Sequence, residues 1–109
     1  MERGDIFLVN LNPTQGHEQQ GTRPVLIISP KLFNDLTQVP IVLPITSKSQ
    51  FARTLGFAVH LDTRTKTQGI IRTDQPRALD IAARQGRKLE TLPIDLMEEV
   101  LAKMATFLS

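Results

Sequence analysis

The chain has no cysteine, no tyrosine and no tryptophan, and only two histidines among its 109 residues. Without thiols there is neither a disulfide nor a thiolate metal site, and a reducing compartment is compatible. Five phenylalanines complete the aromatic stock. That scarcity argues against sequence-tolerant nucleic-acid binding on stacked aromatics, and against a proline-peptide module with an aromatic-lined groove. No apolar run approaches the ~20 residues of a membrane-spanning helix. The opening stretch MERGDIFLV lacks the apolar core and small-residue cleavage site of a signal peptide. The expectation is a cytoplasmic protein with no membrane partner.

What is present is ordinary in amount and uneven in placement. Residues 1–109 suit one domain, with 40% hydrophobic and 22% charged side chains. Between Lys48 and Lys88 there are nine basic residues and three acidic ones, whereas from Leu89 onward four acids face a single Lys103. A basic middle on a chain of net charge +2 points to a polyanion surface; the alternative is a solvated polar face.

Asp5–Leu11 reads as a strand, and the apolar run Pro24–Ser29 as a strand buried on both faces. Lys31–Thr37 suits a short helix or turn. Val39–Thr46 is a strand with two prolines, expected at an edge or irregular. Gly56–Asp62 alternates, with Phe57, Val59 and Leu61 on one side and Ala58, His60 and Asp62 on the other. Gly69–Leu79 begins as a strand and meets Pro76, and a last strand falls near Lys88–Leu92. Then the period changes: Ile94, Met97, Leu101, Met104 and Leu108, flanked by Val100 and Phe107, mark an amphipathic helix begun by Pro93. The expected fold is mainly β with helices, a small, partly open barrel closed by a C-terminal amphipathic helix.

Three clusters carry chemistry. Asn12–Arg23 contains no apolar side chain and holds His17, Glu18 and Arg23, with Gly16 and Gly21 bracketing HEQQ. Long polar connections in small domains are often functional, and imidazole, carboxylate and guanidinium together suit a phosphate. The alternative is a plain hairpin excursion; the functional reading is a flap over a substrate. In IIRTDQPR, Arg72 and Asp74 are two apart on one strand face, either a same-face salt bridge or a base beside a phosphate-binding cation. In PITSKSQFARTLGF, the hydroxyls of Thr46, Ser47 and Ser49 accompany Lys48, Arg53, Phe51 and Phe57; alternatively this is a polar loop with its phenylalanines in the core.

ERGDIFLV, NPTQGHEQQGTRPVLI, PITS with FART and GFAV, and RTDQPR follow one another in the order found in the PemK/MazF family of toxins, and the chain resembles its plasmid-type PemK (Kid) members along its whole length. The resemblance implies an SH3-like barrel, a homodimer, and metal-independent, sequence-selective cleavage of single-stranded RNA without a cofactor. It also implies an inhibiting antitoxin, whose complex with the toxin binds operator DNA. By the same resemblance Arg72 and Asp74 match catalytic residues and His17 an active-site histidine. Glu18 and Arg23 match a loop carboxylate and arginine with possible catalytic or phosphate-binding roles. RNA contacts would fall on Asp5, Thr46, Ser47, Phe57, Gln68 and Ile70, with Arg53 added from the basic loop. Asp5 stands where close members carry Glu, Leu55 replaces a smaller residue, and TRTKTQ is one residue short; these departures bear on base preference.

The chemistry fits the residue types. RNA brings its own nucleophile in the 2′-hydroxyl, so the protein needs a base, a proton donor for the departing 5′-oxygen and positive charge at phosphorus. Asp74 is assigned as base and Arg72 as the cation and donor, with His17 or water sharing the donor role because guanidinium releases its proton reluctantly. Two rival classes remain: a gyrase-poisoning toxin of the CcdB type, and an inactive RNA-binding relative.

Overall fold

The computed structural model describes residues 1–11, 21–47 and 56–108. Their elements run β1 (Asp5–Asn10), β2 (Thr22–Ile27), helix α1 (Lys31–Thr37), β3 (Ile41–Thr46), β4 (Ala58–His60), β5 (Ile70–Arg72), β6 (Arg77–Ala78), β7 (Arg87–Thr91) and helix α2 (Ile94–Leu108). The sheet is antiparallel, ordered β4-β5-β3-β2-β1-β7, with β6 beside β3. Among the described residues β4 and β7 are free edges, so the sheet does not close on itself.

β3, which keeps Pro44 while Pro40 precedes it, lies inside the sheet and not at an edge, and it is irregular in that it changes partner at Pro44. β3 pairs β2 on one side, and β6 then β5 on the other. Two hydrogen bonds explain how. Ile28 N–H donates to the Ile41 carbonyl toward β2, and Leu79 N–H donates to the Pro40 carbonyl toward β6. Backbone groups alternate in direction, so the nitrogen of Pro44 faces the side where β3 passes from β6 to β5, and no ladder bond is lost. The same alternation turns the nitrogen of Pro24 toward β3. Continuing the register would set Pro24 against Ile45, and with no N–H to give, the β2–β3 ladder ends at Val25↔Pro44 after only three residue pairs. Beyond that point β2 stays with β1 and β3 goes with β5, so the sheet forks.

The two faces of the sheet carry separate cores. Ile6, Leu26, Leu43, Ile45, Val59 and Ile71 pack beneath α2 with its Leu96, Met97, Val100 and Met104. On the other face Val9, Val25, Ile27 and Val42 are covered by Leu79 and Ile81. Each such side chain contributes about 1.5–3 kcal/mol by leaving water. The middle of the expected stripe holds, with Met97, Val100 and Met104 buried, but its two ends do not: Ile94 and Leu108 are exposed and Leu96 is buried instead. Leu96 and Met97, in the same first turn as Ile94, carry the contact with the core. The Lys103 ammonium donates to the Ala58 carbonyl at 2.9 Å and ties the helix to edge strand β4. Among the described residues no helix is long and apolar enough to cross a membrane.

Candidate active site

The mouth of the fork is an open pocket of about 480 Å³ lined by Thr22, Arg23, Pro24, Ile45, Thr46, Ser47 and Gln68. Arg23 stands on the β2 prong, exposed, donating to the Thr22 carbonyl at 2.9 Å. Thr46 and Ser47 stand on the β3 prong. The Thr46 hydroxyl is buried without a hydrogen-bond partner among the described residues, and such a group favours any ligand that can satisfy it. Gln68 closes the pocket from the turn before β5 and also lines a second cavity of about 470 Å³ with Leu61, Asp62, Thr63 and Thr65. Gly69 follows with φ +128°, and a Cβ there would lie 2.3 Å from the Thr46 carbonyl oxygen. Only glycine lets the chain pass so close to β3.

One strand further on, Arg72 and Asp74 form a two-pronged ion pair. The Arg72 Nε donates to Asp74 Oδ1 at 2.9 Å and its terminal nitrogen to Oδ2 at 2.7 Å. The pair is mostly shielded, with side-chain exposures of 13% and 24%. The guanidinium's hydrogen bonds hold the Asp74 carboxyl below its usual range, and the same contact raises the pKa of Arg72. Between them Thr73 is fully buried, and both its N–H (3.0 Å) and its hydroxyl (2.8 Å) donate to the Phe57 carbonyl. Pinning the central residue of the turn sets the arginine and the carboxylate side by side. In the sequence Thr73 is marked only by a hydroxyl between two charged residues.

Strand pairing collects these groups on one face. Thr46↔Ile70, Ile70↔His60 and Arg72↔Ala58 are cross-strand partners. Partners share a face, and here it is the one turned away from α2, since Ile45, Ile71 and Val59 take the helix side. Arg23 reaches this face by the same alternation, two residues before Val25.

Residues 2–108 match the model of the PemK-like, MazF-like toxins of type II toxin–antitoxin systems. The chain belongs to this family. It is 56% identical over 110 residues to endoribonuclease PemK of Escherichia coli, covering 100% of this chain and 83% of that protein. It is 39% identical over 105 residues to endoribonuclease toxin ChpB of Escherichia coli K12, covering 94% and 90%. A chain in a crystal structure of MazE–MazF from Deinococcus radiodurans superposes with a TM-score of 0.86 at 29% identity, covering 99% of this chain and 95% of that one.

Not every residue singled out for the toxin's site meets at the fork. Thr46, Ser47, Gln68 and Arg23 line the pocket, and Ile70 is buried with Ala58 beside Arg72. Asp5 lies at the opposite end of β1 from Asn10, the residue that pairs Thr22. There it is buried, accepts from the Glu2 N–H at 3.0 Å and pairs with Lys88 at 3.3 Å. Phe57 turns to the helix side, where its ring meets Phe107 edge-on at 5.7 Å. His17, Glu18 and Arg53 lie outside the described residues, as does most of the proposed flap. Among the described residues no three His, Asp or Glu side chains converge as a metal site would require.

Proposed function

We propose that this chain is the toxin of a type II toxin–antitoxin pair and acts as a metal-independent, sequence-selective endoribonuclease on single-stranded RNA, giving 2′,3′-cyclic phosphate and 5′-hydroxyl ends. The observation that carries the reading is the Arg72–Asp74 pair, pinned by Thr73 beside a polar pocket whose buried hydroxyl lacks a partner.

Asp74 takes the proton of the 2′-hydroxyl, O2′ bonds to phosphorus, and the P–O5′ bond breaks. A carboxylate clasped by guanidinium is ionised at neutral pH but weakly basic. An arriving phosphodiester competes for the Arg72 fork, loosens the clasp and returns basicity to Asp74 as it needs it. Arg72 neutralises the charge at phosphorus and is the candidate proton donor, although guanidinium releases its proton reluctantly and its contact with Asp74 holds the proton more tightly still. His17 or a water shares the donation to O5′. Arg23, with Glu18 nearby in sequence, supplies a second charge for the phosphate chain, and Arg53 a third. Thr46, Ser47 and Gln68 would read base edges, as RNA-specific proteins do with splayed bases, with Ile70 as the apolar floor beside them. Asp5 and Phe57 would add further RNA contacts from outside the fork, Asp5 beside Lys88 and Phe57 beside Phe107.

A single domain over 1–109 with the SH3-like barrel arrangement would work in the cytoplasm as a homodimer, inhibited by a cognate antitoxin, with the complex binding operator DNA. The MazE–MazF structures support the antitoxin as partner. The test is to incubate the purified protein with a mixed RNA pool in excess EDTA and map the ends. Cleavage at a recurring sequence with cyclic-phosphate ends is expected. Intact RNA, or cleavage that only magnesium restores, overturns the mechanism.

A further inference from the structure

His60 ends β4 and is exposed. It pairs across the strand with Ile70, which in turn pairs with Thr46, so the three side chains form one row over β4, β5 and β3. Arg72 is the partner of Ala58, two residues before His60. His60 and Arg72 are therefore diagonal neighbours on the same face, roughly 7–8 Å apart at their Cα atoms and within reach of long side chains. No hydrogen bond holds the imidazole among the described residues. It is also the only aromatic ring that the described strands β3, β4 and β5 present on that face, because Phe57 is committed to Phe107 on the other.

We infer that His60 is a specificity-determining substrate contact: it stacks on the unpaired base of a nucleotide flanking the scissile phosphate. A single-stranded RNA whose phosphate lies in the Arg72 fork must run its neighbouring nucleotides along this row or away from it. Of this row Ile70 is buried and Thr46 half-buried, whereas the imidazole is exposed and offers a flat face for a base. The aromatic scarcity that argues against a ladder of stacked bases leaves, among the described residues of this row, one platform at the edge of the sheet.

The inference rests on the endoribonuclease reading, and one experiment separates them. KM and kcat are measured on a short cleavable RNA for wild type, His60→Ala, His60→Gln and His60→Phe, then on the same RNA with an abasic site at each position flanking the cut. KM should rise roughly five- to a hundred-fold in the Ala and Gln variants, with kcat little changed, and Phe should restore it. One abasic position should raise the wild-type KM to that of His60→Ala and leave the variant unaffected. A wild type that cleaves while His60→Ala matches it, or Gln and Phe variants that behave alike, overturns the stacking contact alone. A wild type that cleaves no RNA overturns the proposed function and the contact with it.

Discussion

Asp74→Asn tests the site most sharply, because its effects on chemistry and on folding differ in size. The substitution keeps the shape of the side chain and removes the charge and the base. Losing a general base lowers cleavage by about two to four decades, which is about 3–5 kcal/mol in the barrier. The folding cost is smaller. Solvent reaches both partners, at 13% and 24% of their side chains, and an amide still accepts one Arg72 hydrogen bond, so about 1–2 kcal/mol is lost. At roughly 4–8 °C per kcal/mol for a domain near this size, the variant remains folded at 25 °C. The stability difference also has a defined pH dependence. Asp74 has a folded pKa below its ordinary value of 3.8. Its contribution is therefore fully present above that value and vanishes as pH falls through the depressed one. Thermal melts should separate wild type from variant at pH 7 and converge as the solution becomes strongly acidic. Single-turnover cleavage at 25 °C, normalised to folded protein, supplies the other axis. A variant that cleaves at the wild-type rate per folded molecule, or that is unfolded at pH 7, would refute the assignment and leave Asp74 a structural ion-pair partner.

Thr73→Val should cost about 0.5–1.5 kcal/mol in urea denaturation, one buried hydrogen bond, since the Phe57 carbonyl keeps the Thr73 N–H. Cleavage should nevertheless fall at least ten-fold and return in Thr73→Ser; equal kcat in the Val variant would deny Thr73 a positioning role. Gly69→Ala should cost about 2–5 kcal/mol, combining left-handed strain with a clash against the Thr46 carbonyl. A urea midpoint within error of wild type would count against that close approach.

Local pattern carried most elements to their observed places. Lys31–Thr37 is a helix over those very residues, and strands appear at Asp5–Asn10, Ala58–His60 and Arg87–Thr91 where alternation or an apolar run indicated them. Pro44 misled because a proline's tolerance depends on which neighbour its nitrogen faces, and that is decided by β2, β5 and β6 together. For Asp5 the motif match marks a carboxylate, whereas the contacts that hold it come from Glu2 and from Lys88, the latter more than eighty residues away. The pairing of Arg72 with Asp74 was legible from their spacing, but the Thr73 anchor that aims them depends on the carbonyl of Phe57, sixteen residues earlier. His60 was placed on its strand face by alternation, yet nothing local indicated that its row would lead through Ile70 to Thr46.

The fork has a mechanical consequence. Only the pairs Val25↔Pro44, Leu26↔Leu43 and Ile27↔Val42 join β2 to β3, so the sheet is two leaves on a short spine, and α2 lies behind both as a splint. Leu26 belongs to one leaf, Ile45 and Ile71 to the other, and Val100 and Met104 share their core. The gap between the prongs is thus set by side-chain volume beneath the helix more than by ladder bonds. A close-packed core transmits small changes of volume. One methylene added or removed under α2 acts as a shim, altering the width of the opening that receives substrate on the far side of the sheet.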